Sequence, residues 1–205
     1  MHELIPYLIK LVKFHELSLY IPKSVFNPLI ALSTDMIIKY LNHLELEGTI
    51  VDFGCGSGVI AIYIAKQFNK EVYCIDISLK SLAAAKVNSI INDVLNKVKV
   101  MHFTKVSVLR GVELIVTNPP YLPLDPIDDL DINWCAGKDL RYLKAIINSC
   151  NRLLRNGGFL IITISTLTNV KYVLRYLLSN FRLINIDYVR TPFDTILLLH
   201  LIKSD

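Results

Sequence analysis

Apolar runs bounded by turn residues alternate with stretches of helical periodicity along most of the chain. That alternation is the pattern of βαβ units feeding a parallel sheet. Gly48–Phe53 (GTIVDF) reads as a first buried strand, followed by a glycine-rich turn and a helix to about Phe68. Glu71–Ile77 (EVYCIDI) predicts a second strand, and Ser78 is placed to cap a helix running to about Asn92. Lys97–His102 and Val112–Thr117 (VELIVT) predict the third and fourth strands. A helix follows from Asp139 to about Leu154, with Asn156-Gly157-Gly158 as its expected left-handed cap. Phe159–Ser165 predicts the fifth strand and Thr168–Ser179 a further helix.

The tail breaks the alternation. Leu183–Arg190 and Thr195–Ile202 are both strand-like, and the segment TPFD between them is too short for a helical crossover. Parallel neighbours need a crossover of about a dozen residues or more, so this pair is antiparallel. The expectation is an α/β fold with a seven-stranded, mostly parallel, Rossmann-like sheet, helices on both faces and an antiparallel C-terminal strand pair. Residues 48–205 form that domain. Residues 1–47 read as an N-terminal helical extension: a helix to about Glu16, a Pro-punctuated loop (LYIPKSVFNP) and a second helix from about Ser33.

Composition narrows the picture. Hydrophobic residues make up 53% of the 205 residues and the mean hydropathy is +0.44, yet no stretch reaches the ~20 apolar residues of a membrane span. The start of the chain shows no signal-peptide cleavage pattern. A cytoplasmic protein with an apolar face covered by a partner is the expectation. Cys55, Cys74, Cys135 and Cys150 form no CxxC pair, which argues for buried thiols and against a zinc or dithiol site. His2, His15, His43, His102 and His200 share no motif. Net charge is +4, a weak argument for nucleic acid, and Asp125, Asp128, Asp129 and Asp131 make one segment acidic.

The first chemistry-bearing segment is VDFGCGSG, which places Gly54, Gly56 and Gly58 between the first strand and its helix. Glycines there let the backbone turn tightly and approach a ligand without a Cβ in the way. Asp76 ends the second strand, where a carboxylate can accept from both hydroxyls of a ribose. The GxGxG spacing differs from the GxGxxG that seats a dinucleotide pyrophosphate. Asp52 adds an acidic group that would repel a phosphate and suit a sulfonium. Both details favour S-adenosylmethionine over a nicotinamide dinucleotide.

Directly after the fourth strand stands Asn118-Pro119-Pro120-Tyr121. Two prolines remove two backbone donors and stiffen the turn, leaving carbonyls free to face a ligand. A planar NH2 group has two donors and needs two acceptors, which the Asn118 side-chain oxygen and the Pro119 carbonyl can supply. Tyr121 offers a ring face for a planar group. This constellation suits methylation of a planar nitrogen.

With these residues in view, the chain resembles the class I S-adenosylmethionine-dependent methyltransferases, and among them the HemK/PrmC-like family that methylates a glutamine amide in translation release factors. The resemblance rests on VDFGCGSG, Asp76, NPPY, the IPKSVFNP segment and AGKDLRYLKAIINSCNRLLRNGGFL, and spans about residues 20–203. It implies Asn118, Pro119, Pro120 and Tyr121 as catalytic residues, with Asp52, Gly54, Gly56, Gly58, Asp76 and Asn118 around the cofactor. Three departures stand out. Family members generally carry an Asp after the third strand to hold the adenine amino group, whereas this chain reads MHFTKVSV, leaving Thr104 or Ser107. The N-terminal loop reads Lys23-Ser24-Val25-Phe26 in place of an acidic residue, with Phe26 as a candidate cover for the cofactor. No separate N-terminal helical domain of the kind used to grip a release factor is recognisable. Short members without it work with a small zinc-binding activator subunit, so the resemblance implies such a partner.

Two alternatives remain open on the sequence. An adenine N6 or guanine N2 amino group of RNA or DNA presents the same two donors as an amide. A catalytically inactive binding subunit would keep the fold without the reaction. The third strand, KVKVMHF, is expected at a sheet edge, where an activator or a second copy of the chain would cover it.

Overall fold

The computed structural model describes residues 11–204. Strands β1 (Leu11–Phe14) and β2 (Leu17–Tyr20) form an antiparallel hairpin. This corrects the expected helix to about Glu16, whose first ten residues lie outside the described ones. The physical reason is visible in LSLY: Leu17 and Leu19 alternate with Ser18 and Tyr20, so only a period of two buries both leucines. His15 makes the turn with a left-handed backbone, φ 51°.

Helix α1 (Leu32–Leu41) then lays Ile37, Ile38 and Leu41 into the core. Strand β3 (Ile50–Phe53), helix α2 (Val59–Gln67), strand β4 (Val72–Asp76), helix α3 (Leu79–Ile91) and strand β5 (Val98–His102) follow in strict alternation. Strand β6 (Val112–Thr117), helix α4 (Arg141–Leu153), strand β7 (Leu154–Ser165), helix α5 (Val170–Leu178) and the pair β8 (Phe181–Arg190) and β9 (Thr195–Lys203) complete the chain.

The strands lie side by side in the order β5-β4-β3-β6-β7-β9-β8. The first five of these are parallel, and β9 runs antiparallel to both β7 and β8. Successive residues of β7 point to opposite faces. Ile161 joins a core with α1, α2 and the hairpin, whereas Leu160 and Ile162 join a core with α4 and α5. The expected seven-stranded sheet with helices on both faces and an antiparallel closing pair is therefore what forms.

Asn156-Gly157-Gly158 does not cap a helix. Leu154 leaves α4 already extended, and the glycines lie in a bulge of β7, between Leu154 opposite Val112 and Phe159 opposite Leu114. A Cβ on Gly158 would meet the carbonyl oxygens of Val112 and Arg155, each at 2.9 Å. Close backbone approach at the bulge is what the sequence provides for here.

Two buried asparagines, Asn88 in α3 and Asn92 at its C-cap, tie the hairpin to that helix. Asn88 accepts the Tyr20 N–H at 2.6 Å and donates to the Tyr20 carbonyl at 3.0 Å. One turn later Asn92 repeats the pattern on Ser18, at 3.1 and 2.8 Å. The second N–H of Asn88 donates to the Ser57 carbonyl at 2.9 Å, so the same side chain also fixes the glycine turn. Edge strand β5 is short, and its exposed Lys99 pairs with Glu71 at 3.3 Å.

Candidate functional site

The loops leaving β3, β4 and β6 enclose a cavity of about 650 Å³ at the carboxyl ends of those strands. Open parallel sheets bind ligands there, where neighbouring connections leave in opposite directions. The floor is the glycine turn. Its Gly54 and Cys55 N–H groups donate to the Ile75 carbonyl at 2.8 and 3.0 Å, which ties the turn to β4. Gly54 is left-handed (φ 77°) with open space where a Cβ would stand. Gly58 needs glycine for another reason: a Cβ there would sit 2.8 Å from that of Ala85, so α2 and α3 could not approach.

Asp76 stands on the cavity wall with each oxygen already engaged once. Oδ2 accepts the Gly56 N–H and Oδ1 the Ser78 N–H, both at 2.8 Å. Burial raises its carboxyl above the ordinary carboxylate range, against the opposing pull of N–H groups from Ser78, Gly56 and Ile77 and of the His102 charge. Each oxygen keeps a lone pair for a ligand hydroxyl. Asp52, by contrast, lies beneath the turn and does not line the cavity. Its Oδ2 accepts the Ala61 N–H at 3.0 Å, and Oδ1 has no partner. Burial pushes its carboxyl up to about 7, opposed by the Ala61 N–H and reinforced by the charge of Asp76.

Asn118, Pro119 and Pro120 line the opposite wall. The Thr117 hydroxyl donates to the Phe53 carbonyl at 2.7 Å and so locks the end of β6 to the end of β3. The Asn118 side chain is bound at both ends. Its Oδ1 accepts from the Thr163 hydroxyl at 2.6 Å, and its Nδ2 faces the Thr34 hydroxyl oxygen at 3.4 Å. Tyr121 is brought to the motif but not to the cavity. Its N–H donates to the Trp134 carbonyl at 3.1 Å, and its buried ring does not line the cofactor cavity. Burial, with the charge of Asp194, raises its phenol pKa.

Ser24 and Phe26 line the cavity from the N-terminal loop. Phe26 meets Trp134 edge-on at 5.1 Å, and Asn133 Nδ2 donates to the Ser24 carbonyl at 3.1 Å. Lys80 and Asp129, both on the cavity rim, pair at 2.7 Å. The carboxylates of the acidic segment are thus engaged within the chain. Asp125 pairs with Arg141 at 2.7 Å, Asp128 caps the Leu130 and Asp131 N–H groups, and Asp131 accepts from Ile127.

Thr104, expected beside the cofactor, is not on the cavity wall. Its hydroxyl is bound to His102 Nδ1 at 2.9 Å, and the other ring nitrogen of His102 contacts the Ile77 carbonyl. Phe103 takes the place on the wall, packed edge-on against Phe53 at 5.9 Å. The sequence reading also missed Thr34, which lines the cavity, and Thr163 behind Asn118. Only a polar residue interrupting an apolar strand, IITIS, signals the latter.

The wall matches a nucleoside cofactor. A carboxylate with spare lone pairs stands beside a backbone turn with no Cβ in the way. Apolar Ile77, Phe103 and Ile146 offer surface to a planar base. Among the described residues no group of three His, Cys, Asp or Glu is placed to hold a metal, and no helix is long and apolar enough to cross a membrane.

Comparison with known proteins agrees. The chain is 26% identical over 200 residues to a candidate protein N5-glutamine methyltransferase of Methanocaldococcus jannaschii, covering 93% of this chain and 98% of that one. It is 32% identical over 127 residues to a release factor glutamine methyltransferase of Dictyoglomus turgidum, covering 57% and 43%. It spans only 26% to 39% of the length of several other curated relatives. Among solved structures, a ribosomal protein L11 methylase of Lactobacillus delbrueckii superposes with a TM-score of 0.65 at 20% identity, over 88% of this chain and 82% of that one, which shows the shared fold. The sequence pattern of the methyltransferase small domain matches residues 25–188. With S-adenosylmethionine as the cofactor its cavity accommodates, the chain belongs to the methyltransferase small domain family.

Proposed function

We propose that this chain methylates the side-chain amide nitrogen of a glutamine in a translation release factor, in the cytoplasm. The observation that carries the reading is the Asn118-Pro119-Pro120 turn on the cofactor cavity, with the Asn118 amide bound at both ends. The near full-length match to the M. jannaschii protein supports the amide over a nucleobase.

S-adenosylmethionine supplies an electrophilic methyl group on a sulfonium. Asp76 would hold the ribose diol, and Gly54 and Gly56 would border the methionine portion. Asn118 Oδ1 and the Pro119 carbonyl accept the two N–H bonds of the acceptor amide. Holding both hydrogens turns the nitrogen toward the methyl group and favours a pyramidal geometry, so the delocalised lone pair becomes available. Such placement within ~3–3.5 Å supplies much of the rate advantage without a strong base. After transfer the nitrogen is cationic, and its proton leaves readily. Tyr121 backs the motif from outside the cofactor cavity. Residues 11–47 cover the cofactor through Phe26, while residues 48–204 carry the transfer.

Incubation with methyl-labelled S-adenosylmethionine, together with either purified release factor or total RNA, tests the reading. Label recovered on a glutamine amide is the expected result. Label confined to RNA would overturn the amide assignment.

A further inference from the structure

Thr163 interrupts an apolar run in the interior strand β7 and is fully buried. A buried hydroxyl destabilises unless it is hydrogen-bonded. Its partner here is the Asn118 side chain, reached from the neighbouring strand at 2.6 Å. On the other side stands Thr34, 1% exposed, in the first turn of α1. Neither threonine belongs to the glycine turn or to the Asn-Pro-Pro-Tyr segment.

A side-chain amide can turn end over end, exchanging its oxygen for its NH2 group at nearly constant shape. For a group that must receive an N–H donor, that exchange is fatal, because NH2 would then face NH2. In the structure the oxygen lies on the Thr163 side, accepting from that hydroxyl at 2.6 Å, and the NH2 group lies on the Thr34 side at 3.4 Å. Two lone pairs belong to that oxygen, and Thr163 uses one.

We infer that Thr163, aided by Thr34, is a positioning residue that fixes which end of Asn118 faces the acceptor nitrogen. The inference rests on the reading that Asn118 Oδ1 holds that nitrogen. Thr163 acts through Asn118 and touches neither substrate. Since Thr34 belongs to the N-terminal segment, that segment reaches the acceptor side of the site as well as the wall lined by Ser24 and Phe26.

Thr163→Val keeps the shape and removes the hydroxyl. The turnover number should fall on the order of 10- to 100-fold, the size of a misplaced catalytic contact. Cofactor affinity by calorimetry should stay within about twofold, because Thr163 does not line the cavity. Thr163→Ser should restore most of the rate. The side-chain 15N–H2 resonances of Asn118 should shift in Thr163→Val and return in Thr163→Ser, a readout independent of activity. Thr163→Val added to Asn118→Ala should cost nothing more, since residues acting through one another are not additive. Wild-type turnover and unmoved resonances in Thr163→Val, with Asn118→Ala inactive, would overturn the inference and leave the amide reading standing. Wild-type turnover in Asn118→Ala would remove that reading itself.

Discussion

The Gly56 and Ser78 N–H groups hold the Asp76 carboxylate in place on the cavity wall before any ligand arrives. Asp76→Ala should weaken S-adenosylmethionine binding by about 1.5–3 kcal/mol, the range for hydrogen bonds to a charged group. Unchanged affinity in calorimetry would mean that the ribose lies elsewhere. Asp52 has a different residue-scale consequence. Between the ordinary carboxylate pKa near 3.8 and the value of about 7 that burial imposes, the folded chain keeps a proton that the unfolded chain has released. Unfolding then releases a proton, so stability of the cofactor-free protein should fall as pH rises through that window. Asp52→Asn keeps the acceptor for Ala61 and removes the charge, so it should flatten the slope and raise stability at pH 8 more than at pH 5. Denaturant titrations at the two pH values measure this; equal slopes for both proteins would refute it. Both acids were legible as sequence positions at strand ends. That one faces the cavity and the other lies under the turn depends on the pleat, with Asp52 beside Cys74 and Asp76 beside His102 in the sheet.

Elements with strong periodicity were read closely: Val112–Thr117 matches to the residue, and the closing pair is antiparallel because four residues cannot cross over. The hairpin was not. Leu8, Leu11 and Val12 recur at helical spacing, and the alternation that decides the matter occupies only LSLY. What settles the segment is tertiary: the outward backbone groups of Ser18 and Tyr20 find Asn92 and Asn88, partners about 70 residues away. Asn88→Leu should therefore destabilise by at least about 2 kcal/mol, since the Tyr20 backbone and the Ser57 carbonyl lose their buried partner. It should also weaken cofactor binding, because Ser57 lines the cavity. Chemical denaturation with calorimetry checks both, and wild-type values in each would show that the asparagine only fills space.

For the whole molecule, the strand order puts β4 and β6 on opposite sides of β3, and the cavity opens where their connections part. That much follows from the alternation of elements and from the short final connection. The N-terminal lining does not, since Ser24 and Asn133 meet across 109 positions of chain through one side-chain amide. No local pattern encodes such a contact. Nor does the sequence alone reveal that the four acidic residues of segment 125–131 are tied to Lys80, Arg141 and nearby backbone. The asparagine pair of α3 and its C-cap carries a last consequence. A two-stranded ribbon normally leaves an unpaired flank onto which another chain can polymerise. Here the outward-facing groups of β2 at Ser18 and Tyr20 are met by side-chain amides that mimic a third strand without being one. An amide at the end of a side chain offers nothing for a further strand to extend, so the helix terminates the ribbon and closes that flank to aggregation.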